Sequence, residues 1–368
     1  MGKYGKKNTV KVNPLDYNIG LFGQSGIGKS SIAVEICEKL VGENGYLLLN
    51  MGKEDGIDAI QGAMYEDVKD WKTFSDIVKD ITVNKNTEYT DLKVIVIDTI
   101  DELEIMGKKE VIKLHNEANP TKKTKTFNSA FGGFAAPREK LSEIILDNIW
   151  KLKDVGINVF VIGHVKRRTK NDAITGEEYD EVTAKISSGL FEDIKTKLHI
   201  LGLGTVRRDV EKTITGQDIM GKNKTINKTT NAQRVITFRD DSFTIDAKSR
   251  FSQIVDRISF NSDDFIKAIK DAIEAEYSSK NIGISMKEAE KIQAKEKEEK
   301  TSKYIEDIQK ADEAGTPAEM VDKIQKAFNE DAEKKDLIIE AMKNINCKNF
   351  VALKDESMEN IMEVYSII

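Results

Sequence analysis

Near its amino end the chain contains Gly23-Gln24-Ser25-Gly26-Ile27-Gly28-Lys29-Ser30, a match to the pattern G-x-x-x-x-G-K-[ST]. An apolar run at 18–22 precedes this segment and an amphipathic run at 31–40 follows it, so the order of elements is strand, turn and helix. Glycines let the backbone curl until successive N–H groups point at an anion, and the positive end of the following helix strengthens that field. The pattern and its context therefore predict a phosphate-binding loop rather than a glycine-rich turn that binds nothing.

Such a loop indicates ATP and Mg²⁺ as cofactors. Lys29 is expected to reach the β- and γ-phosphates, and the hydroxyl of Ser30 is expected to hold Mg²⁺. The expected nucleotide-binding residues of the loop are Gly23, Gln24, Ser25, Gly26, Ile27, Gly28, Lys29, Ser30 and Ser31.

Carboxylates follow two further runs that are typical of buried strands. The run 46–50 leads into a turn that carries Glu54 and Asp55, either of which could orient an attacking water. Four consecutive β-branched residues at 94–97 are typical of a central parallel strand, and Asp98 follows them, where open α/β sheets bind ligands. Asp98 is therefore a candidate to hold Mg²⁺ through water. The alternative is that it caps the next helix.

The run 158–163 predicts another buried strand, with His164 at its carboxyl end. This position adjoins the expected γ-phosphate, so His164 is a candidate γ-phosphate sensor. A histidine that is satisfied within the core is the alternative. Thr99, Asp101 and Glu102 are weaker candidates for the role given to Asp98.

Two long polar segments are candidates for nucleic-acid contacts. Residues 119–138 contain four basic residues and no acidic one, with phenylalanines among them, and this mixture suits the phosphates and bases of a single strand. Residues 165–186 begin basic, turn acidic and leave the same edge of the sheet. An ordinary solvated loop is the alternative in each case. The candidate DNA-binding residues are Lys122, Lys123, Lys125, Phe131, Arg138, Lys166, Arg167 and Arg168.

Composition limits the class of protein. The 368 residues are 39% hydrophobic, and the two cysteines, Cys37 and Cys347, match no metal-binding spacing, which suits a reducing cytoplasm. No signal peptide or spanning segment is recognisable, so we expect no membrane partner. The net charge is −6, but residues 261–368 carry 17 lysines and 25 acidic residues, a net charge of −8, which leaves +2 for residues 1–260. The acidity therefore does not exclude DNA binding by the core.

These patterns predict an α/β fold with a mainly parallel central sheet flanked by helices, plus a helical carboxyl-terminal region. We expect a flexible basic leader at 1–13 and an ATPase core at 14–260. A charged helical linker at 261–314, exposed or bridging to a partner, and a small helical domain at 315–368 complete the expected organisation.

The order of parts resembles the RecA-like recombinase core. It resembles more closely the phage AAA family ATPases that are grouped with the Sak single-strand annealing proteins and RadA. The resemblance covers roughly residues 14–255, and Gly163-His164-Val165-Lys166 and Ala247-Lys248-Ser249-Arg250-Phe251 carry it beyond the phosphate loop. RadA has a glycine where this chain has Ser252, and RadA's zinc-binding cysteines are absent.

The resemblance implies a role for each matching residue. It implies that Glu54, or less readily Asp55, activates water, that Asp98 belongs to the second nucleotide motif and that His164 couples the γ-phosphate to DNA binding. It also implies that the two polar segments are the DNA-binding loops. Lys248 and Arg250 match a motif that reaches the nucleotide of the neighbouring subunit, where a cation stabilises transition-state charge. A salt-bridged pair in a surface hairpin is the alternative for these two residues.

Taken together, these expectations describe an ATP- and Mg²⁺-dependent ATPase that forms a homo-oligomeric ring or filament. It would bind single-stranded DNA and promote annealing or strand exchange in phage recombination or replication, within the host cytoplasm. The acidic region after residue 260 would dock a single-strand-binding or other replication protein, or restrain DNA binding. A replicative helicase or loader ATPase, and a nucleotide-dependent assembly switch that never touches nucleic acid, are the rival interpretations.

Overall fold

The computed structural model describes residues 9–52, 56–172, 175–217, 223–239, 246–279, 284–314, 317–345, 347–354, 356 and 358–367. The strands are β1 (Ile19–Gly23), β2 (Tyr46–Met51), β3 (Tyr65–Val68), β4 (Val94–Asp98), β5 (Asn158–Asn171), β6 (Glu178–Ala184), β7 (Ile200–Gln217), β8 (Asn223–Thr237), β9 (Lys248–Ser249) and β10 (Arg257–Ser259). The helices are α1 (Lys29–Val41), α2 (Trp71–Val83), α3 (Ile100–Ala118), α4 (Ala136–Asp154), α5 (Ser188–Lys197), α6 (Ser262–Ser278), α7 (Met286–Ala314), α8 (Pro317–Glu330), α9 (Ala332–Asn344), α10 (Phe350–Leu353) and α11 (Met358–Tyr365). Short 3₁₀ helices occur at Pro14–Asp16, Glu43–Gly45, Gly56–Ala59 and Phe127–Gly132.

One sheet forms the centre of the described structure, in the order β3-β2-β4-β5-β1-β7-β8-β10. The strands from β3 to β7 in that order run parallel, whereas β8 pairs antiparallel with β7, and β10 with β8. Two further antiparallel partners lie off this path, β6 on β5 and β9 on β7. The expected mainly parallel sheet with flanking helices is confirmed. Because the parallel strands share a direction, the residues at their carboxyl ends meet along one edge.

Helices cover both faces of the central parallel strands, which explains why β1 and β4 are buried along their whole length. All five residues of β1 and all five of β4 are buried. One apolar layer joins α2, α3, α4 and α5 to one face of the sheet. The other layer joins α1 and α6 to the opposite face.

The helices after residue 261 divide between the core and a separate cluster. Although α6 lies in the segment expected to be a linker, its buried residues Phe265, Ile269 and Ile273 belong to the same apolar layer as α1. The charged helix α7 is tied to the core by the fully buried Ile305 and by an ion pair of 2.7 Å between Lys297 and Asp16. Helices α8 to α11 bury a cluster of their own. Within the described residues, no helix has both the length and the apolar character that crossing a membrane requires.

Candidate functional site

The phosphate loop has the backbone that its glycines predict. It joins the end of β1 to the start of α1, and Gly26 and Gly28 have φ angles of 72° and 102°. Side chains are strained at such angles, so glycine is required at both positions. Gly28 is also the N-cap residue of α1, and no side chain caps this helix. The first N–H groups of α1 are therefore available to an anion.

Lys29 and Ser30 are the two side chains of the loop that are expected to bind the nucleotide and its Mg²⁺. Lys29 is only 6% exposed, and its Nζ donates to the carbonyl of Gln24 at 3.1 Å, which places the ammonium group within the loop. Ser30 is half-buried in the first turn of α1, and Gln24, Ser25 and Gly26 are exposed. The tip of the loop is thus open to solvent, whereas its cation is sheltered.

Asp98 lies on the same edge of the sheet, one strand away from the loop. The register pairs Gly23 with His164 and Asp98 with Ile162, and β5 lies between β1 and β4. Asp98 is 5% exposed, and the N-cap position of α3 belongs to Thr99, so the structure does not support the helix-capping alternative for Asp98. A serine hydroxyl and a carboxylate are oxygen ligands of the kind that Mg²⁺ prefers, and this donor pair fits the ion.

The carboxylate that the sequence predicts as the activator of water is not among the residues that the structure describes. Glu54 and its alternative Asp55 lie outside the described residues, which stop at Gly52 and resume at Gly56. Glu102 packs beside the start of this turn, because a β-carbon on Gly52 would lie 2.6 Å from its Oε2. Glu102 therefore joins Asp98 as a carboxylate at this edge.

Asp101 connects α3 to the end of β5. Its Oδ2 accepts the backbone N–H of His164 at 2.9 Å and lies 3.5 Å from the ring Nδ1 of the same residue. Asp101 is 7% exposed, and its Oδ1 accepts no hydrogen bond from the part of the chain that is described. A buried carboxylate beside a histidine can fix the orientation of the ring, so the helix that begins after Asp98 also holds His164.

The polar segment at 165–186 is an ordered β-ribbon over its described residues and not an irregular loop. Strand β5 continues past His164, and its outer part pairs with β6 from Val165 opposite Ala184 to Asn171 opposite Glu178. Beyond the ribbon, the backbone N–H of Ser187 donates to Glu104 on α3 at 3.2 Å. Helix α3 therefore holds both strands of the ribbon at its base.

The cations of this ribbon are largely engaged by its own atoms. Lys166 donates to the carbonyls of Lys185 and Ile186 at 3.1 and 3.3 Å, and Arg167 forms an ion pair of 3.5 Å with Asp180. Arg168 is exposed and lies opposite Glu181 in the register, and the carboxylate of Glu181 pairs with Lys170 at 2.6 Å. The acidic strand β6 thus offsets much of the positive charge that the sequence assigns to this segment.

The segment at 119–138 keeps its charge exposed, and His115 organises its backbone. Lys122, Lys123, Lys125 and Arg138 are all exposed. The Nδ1 of His115 accepts the backbone N–H of Phe131 at 3.0 Å, and its Nε2 lies 3.0 Å from the carbonyl of Lys122. Since the backbone N–H is the donor, Nδ1 is unprotonated and Nε2 carries the proton that is donated to Lys122. The buried His115 therefore links Lys122 to Phe131 across the loop.

The exposed aromatic side chain of this loop is Phe134, which the sequence analysis did not select. Phe131 is half-buried, and its ring packs edge-to-face on His115 with 5.3 Å between ring centroids. Phe134 is 96% exposed. All four residues from Phe131 to Phe134 have positive φ angles, and Gly132 and Gly133 accommodate this turn. The glycine pair before Phe134 is the signal that marks this exposed turn in the sequence.

Lys248 and Arg250 lie at the opposite edge of the sheet from the phosphate loop. Strand β9 pairs with the amino end of β7, where Lys248 lies opposite Leu201, whereas the loop begins beyond Gly23 at the level of Gly204. About 10 Å of extended strand separates the two levels, because each residue adds roughly 3.3 Å. Neither cation lies at the phosphate loop of this chain.

These two cations bind backbone carbonyls. Lys248 Nζ donates to the carbonyl of Lys195, and Arg250 Nη2 donates to that of Thr196. Among the described residues neither forms an ion pair, so the salt-bridge alternative finds no support there. Burial, followed by the charges of Arg250 and Lys195, lowers the pKa of Lys248. Burial and the nearby charge of Arg250 also lower the pKa of His199 to about 4.

Comparisons with known proteins place the chain in a family. Residues 15–251 match the family model described as an AAA domain. Among solved structures, an ATPase from the type III secretion system of pathogenic bacteria matches with 11% identity and a TM-score of 0.32. That match covers 53% of this chain and 55% of the other, so the chain spans about half the length of that protein. No curated protein is detectably similar in sequence. Because the AAA match covers more than half of the chain and includes the phosphate loop, Asp98 and His164, the chain belongs to the AAA domain family and contains a nucleotide-dependent ATPase domain.

Proposed function

We propose that this protein is an oligomeric, Mg²⁺-dependent ATPase that couples ATP hydrolysis to single-stranded DNA and promotes annealing or strand exchange, as in phage recombination or replication. The observation that carries the proposal is the set of contacts made by α3. This helix starts next to Asp98, holds His164 through Asp101 and holds the exposed basic loop through His115. A change at the γ-phosphate edge therefore has a packed route to the loop that would contact DNA.

In the proposed site, the backbone N–H groups of the loop bind the nucleotide phosphates together with Lys29. Ser30 and Asp98 hold Mg²⁺, and Glu54 or Asp55 orients the attacking water. The register of β5 with β1 sets His164 level with Gly23, where the loop begins, and this supports the proposed role of His164 as γ-phosphate sensor. Mg²⁺ would supply charge neutralisation at the phosphates.

The proposed assembly is a head-to-tail ring or filament, and the position of Lys248 and Arg250 supports it. In this assembly the amino edge of the sheet in one subunit would face the carboxyl edge of the next, a heterologous contact of the kind that builds rings and filaments. Lys248 and Arg250 then approach the neighbour's γ-phosphate, so that hydrolysis depends on assembly. Support comes from the clustering of cations at this edge, where burial, followed by the charge of Arg250, lowers the pKa values of both Lys248 and His199.

For DNA, the proposal assigns the main role to the loop at 119–138. Lys122, Lys123, Lys125 and Arg138 supply phosphate contacts, and Phe134 supplies a face for base stacking. Lys166, Arg167 and Arg168 have a smaller role, because β6 engages or faces them. The carboxyl-terminal cluster of α8 to α11, with its exposed Val351 and Leu337, is the proposed docking unit for a single-strand-binding or other replication protein.

The test is steady-state ATP hydrolysis with and without single-stranded DNA. We expect DNA to stimulate hydrolysis, and we expect neutralisation of Lys122, Lys123 and Lys125 to abolish the stimulation. A rate that ignores both DNA and these lysines would favour the assembly switch. Directional, ATP-dependent displacement of a strand from a forked duplex would favour the helicase or loader.

A further inference from the structure

Arg234, a residue distant in sequence, reaches the phosphate loop from the side opposite to Asp98. Its Nη1 donates to the carbonyl of Ile27 at 3.3 Å and lies 4.0 Å from the position that a β-carbon on Gly28 would take. The order of the strands explains this arrangement. Strands β7 and β8 lie on one side of β1, whereas β5 and β4 lie on its other side. The two side chains therefore flank the loop.

The register of β8 brings Arg234 to this position. Val235 lies opposite Thr205, and Arg234 lies opposite Val206, two residues beyond Gly204, which is level with Gly23 at the end of β1. Arg234 therefore lies beyond the carboxyl ends of the parallel strands, next to the phosphate loop.

Phe260 supports this position of Arg234. Its backbone N–H donates to the carbonyl of Arg234 at 3.1 Å. Its ring packs against two glycines, since β-carbons would lie 2.7 Å from the ring at Gly204 and 3.7 Å from it at Gly28. The ring fills the space beside the loop and leaves the exposed guanidinium above it.

The remaining hydrogen-bonding capacity of Arg234 points towards an anion. A guanidinium has five N–H donors, and a single backbone carbonyl accepts one of them. Among the described residues no carboxylate forms an ion pair with Arg234. The cation instead lies beside Gly28, in the part of the loop whose backbone cradles the α- and β-phosphates.

We propose that Arg234 is a nucleotide-binding residue that contacts the α- or β-phosphate within its own subunit. The inference rests on the nucleotide site of the proposed function and is independent of DNA and assembly. The two arginines would then bind different phosphates. Arg234 would contact any nucleotide that has an α- or β-phosphate, whereas Arg250 of a neighbouring subunit would contact only the γ-phosphate.

The test is titration of fluorescent ADP, without DNA, into the wild type, Arg234→Gln, Arg234→Lys and Arg257→Gln. Arg257 is the matched control, because it is an exposed arginine on β10 whose Nε bonds Thr237 at 3.2 Å and not the loop. We expect Arg234→Gln to weaken ADP binding by about 10- to 100-fold, the loss typical of one hydrogen bond to a charged group. Arg234→Lys should recover part of the affinity, and Arg257→Gln should bind as the wild type does.

The melting temperature, measured with and without ADP, distinguishes a contact between Arg234 and the phosphate from a purely structural role of Arg234. If Arg234 contacts the phosphate, the melting temperature of the nucleotide-free protein is the same in the wild type and Arg234→Gln, and only the shift caused by ADP becomes smaller. An ADP affinity within twofold of the wild type would overturn the inference, as would a lower melting temperature of nucleotide-free Arg234→Gln. Failure of the DNA-coupled function would appear only as absent DNA stimulation and would leave these results unchanged.

Discussion

Asp101 and His164 form the contact that joins the nucleotide edge to the basic ribbon, with the backbone N–H of His164 donating to Asp101 Oδ2 at 2.9 Å. The first of these residues belongs to the helix that follows Asp98, and the second lies where β5 leaves the parallel sheet. Any displacement of His164 therefore acts on α3, which also anchors Ser187 and, through His115, the exposed loop. The following predictions concern this route and the surfaces that it connects.

Substitutions of Asp101 should distinguish its effect on the stability of the fold from its effect on DNA stimulation of ATP hydrolysis. Asp101→Ala leaves the buried N–H of His164 without its acceptor, and we expect a loss of about 1–3 kcal/mol in the free energy of unfolding. Asp101→Asn keeps an acceptor but removes the charge that orients the ring, so it should restore stability while DNA stimulation of hydrolysis stays low. Urea denaturation and ATPase rates measure the two effects. Wild-type stimulation in both variants would contradict the route.

Phe134 should contribute to DNA binding, whereas Phe131 should contribute to the stability of the fold. Phe134→Ala should weaken single-stranded DNA binding by about 5- to 100-fold, because stacking contributes about 1–3 kcal/mol per base, and it should leave stability unchanged. Phe131→Ala should mainly reduce stability, because its ring packs on His115. Fluorescence anisotropy with labelled oligonucleotides measures the affinity, and Phe134→Trp is the conservative control. Equal DNA affinities of wild type and Phe134→Ala would remove the stacking role.

The basic loop should contribute more to DNA affinity than the ribbon does. Neutralising Lys122, Lys123 and Lys125 should reduce the slope of log affinity against log salt by about 2, since each phosphate contact on a single strand contributes about 0.7. Neutralising Lys166, Arg167 and Arg168 should change the slope by less than half of that amount, because intramolecular partners hold the first two of these residues. The reverse ranking would show that the ribbon is the principal DNA contact.

Protonation of His199 should destabilise the fold in mild acid. Burial and Arg250 lower its pKa from 6.5 to about 4, so the unfolded chain takes up the proton first as the pH falls. The stabilising contribution of neutral His199 is complete above pH 6.5 and is lost between about pH 6.5 and pH 4, with a magnitude of about 1–3 kcal/mol. His199→Asn keeps an acceptor for the backbone N–H of Asn18, which Nδ1 binds at 3.0 Å. Denaturation at pH 7 and pH 4.5 should show a smaller loss in this variant, and equal losses would contradict the assignment.

The sequence contains most of the information that defines the fold and the centre of the site. The glycine spacing dictates the positive φ angles at Gly26 and Gly28, and the β-branched run before Asp98 dictates a strand buried on both faces. The shared edge of Asp98 and His164 follows, because parallel strands end together.

Features that depend on long-range contacts could not be predicted in this way. Arg234 is 207 positions from Ile27 in sequence, and only the register of β7 with β8 brings it to the loop. The choice between Phe131 and Phe134 depends on which ring packs against His115, which no local pattern encodes. The strands of the ribbon lack regular apolar alternation, and ion pairs between them, such as Arg167 with Asp180, add to their pairing.

ATP hydrolysis between subunits is tested most directly by a mixture of two variants. Lys29→Ala lacks a working phosphate loop but keeps Arg250, whereas Arg250→Ala keeps the loop but lacks the cation. We expect each variant alone to hydrolyse ATP about 100-fold or more slowly than the wild type, since each lacks a phosphate-stabilising cation.

In an equal mixture whose assemblies exchange subunits, roughly a quarter of the interfaces should combine an intact loop with an intact Arg250. Hydrolysis should therefore recover to about that fraction of the wild-type rate. A mixture that remains as inactive as its two components, or an Arg250→Ala variant that is active alone, would contradict hydrolysis between subunits.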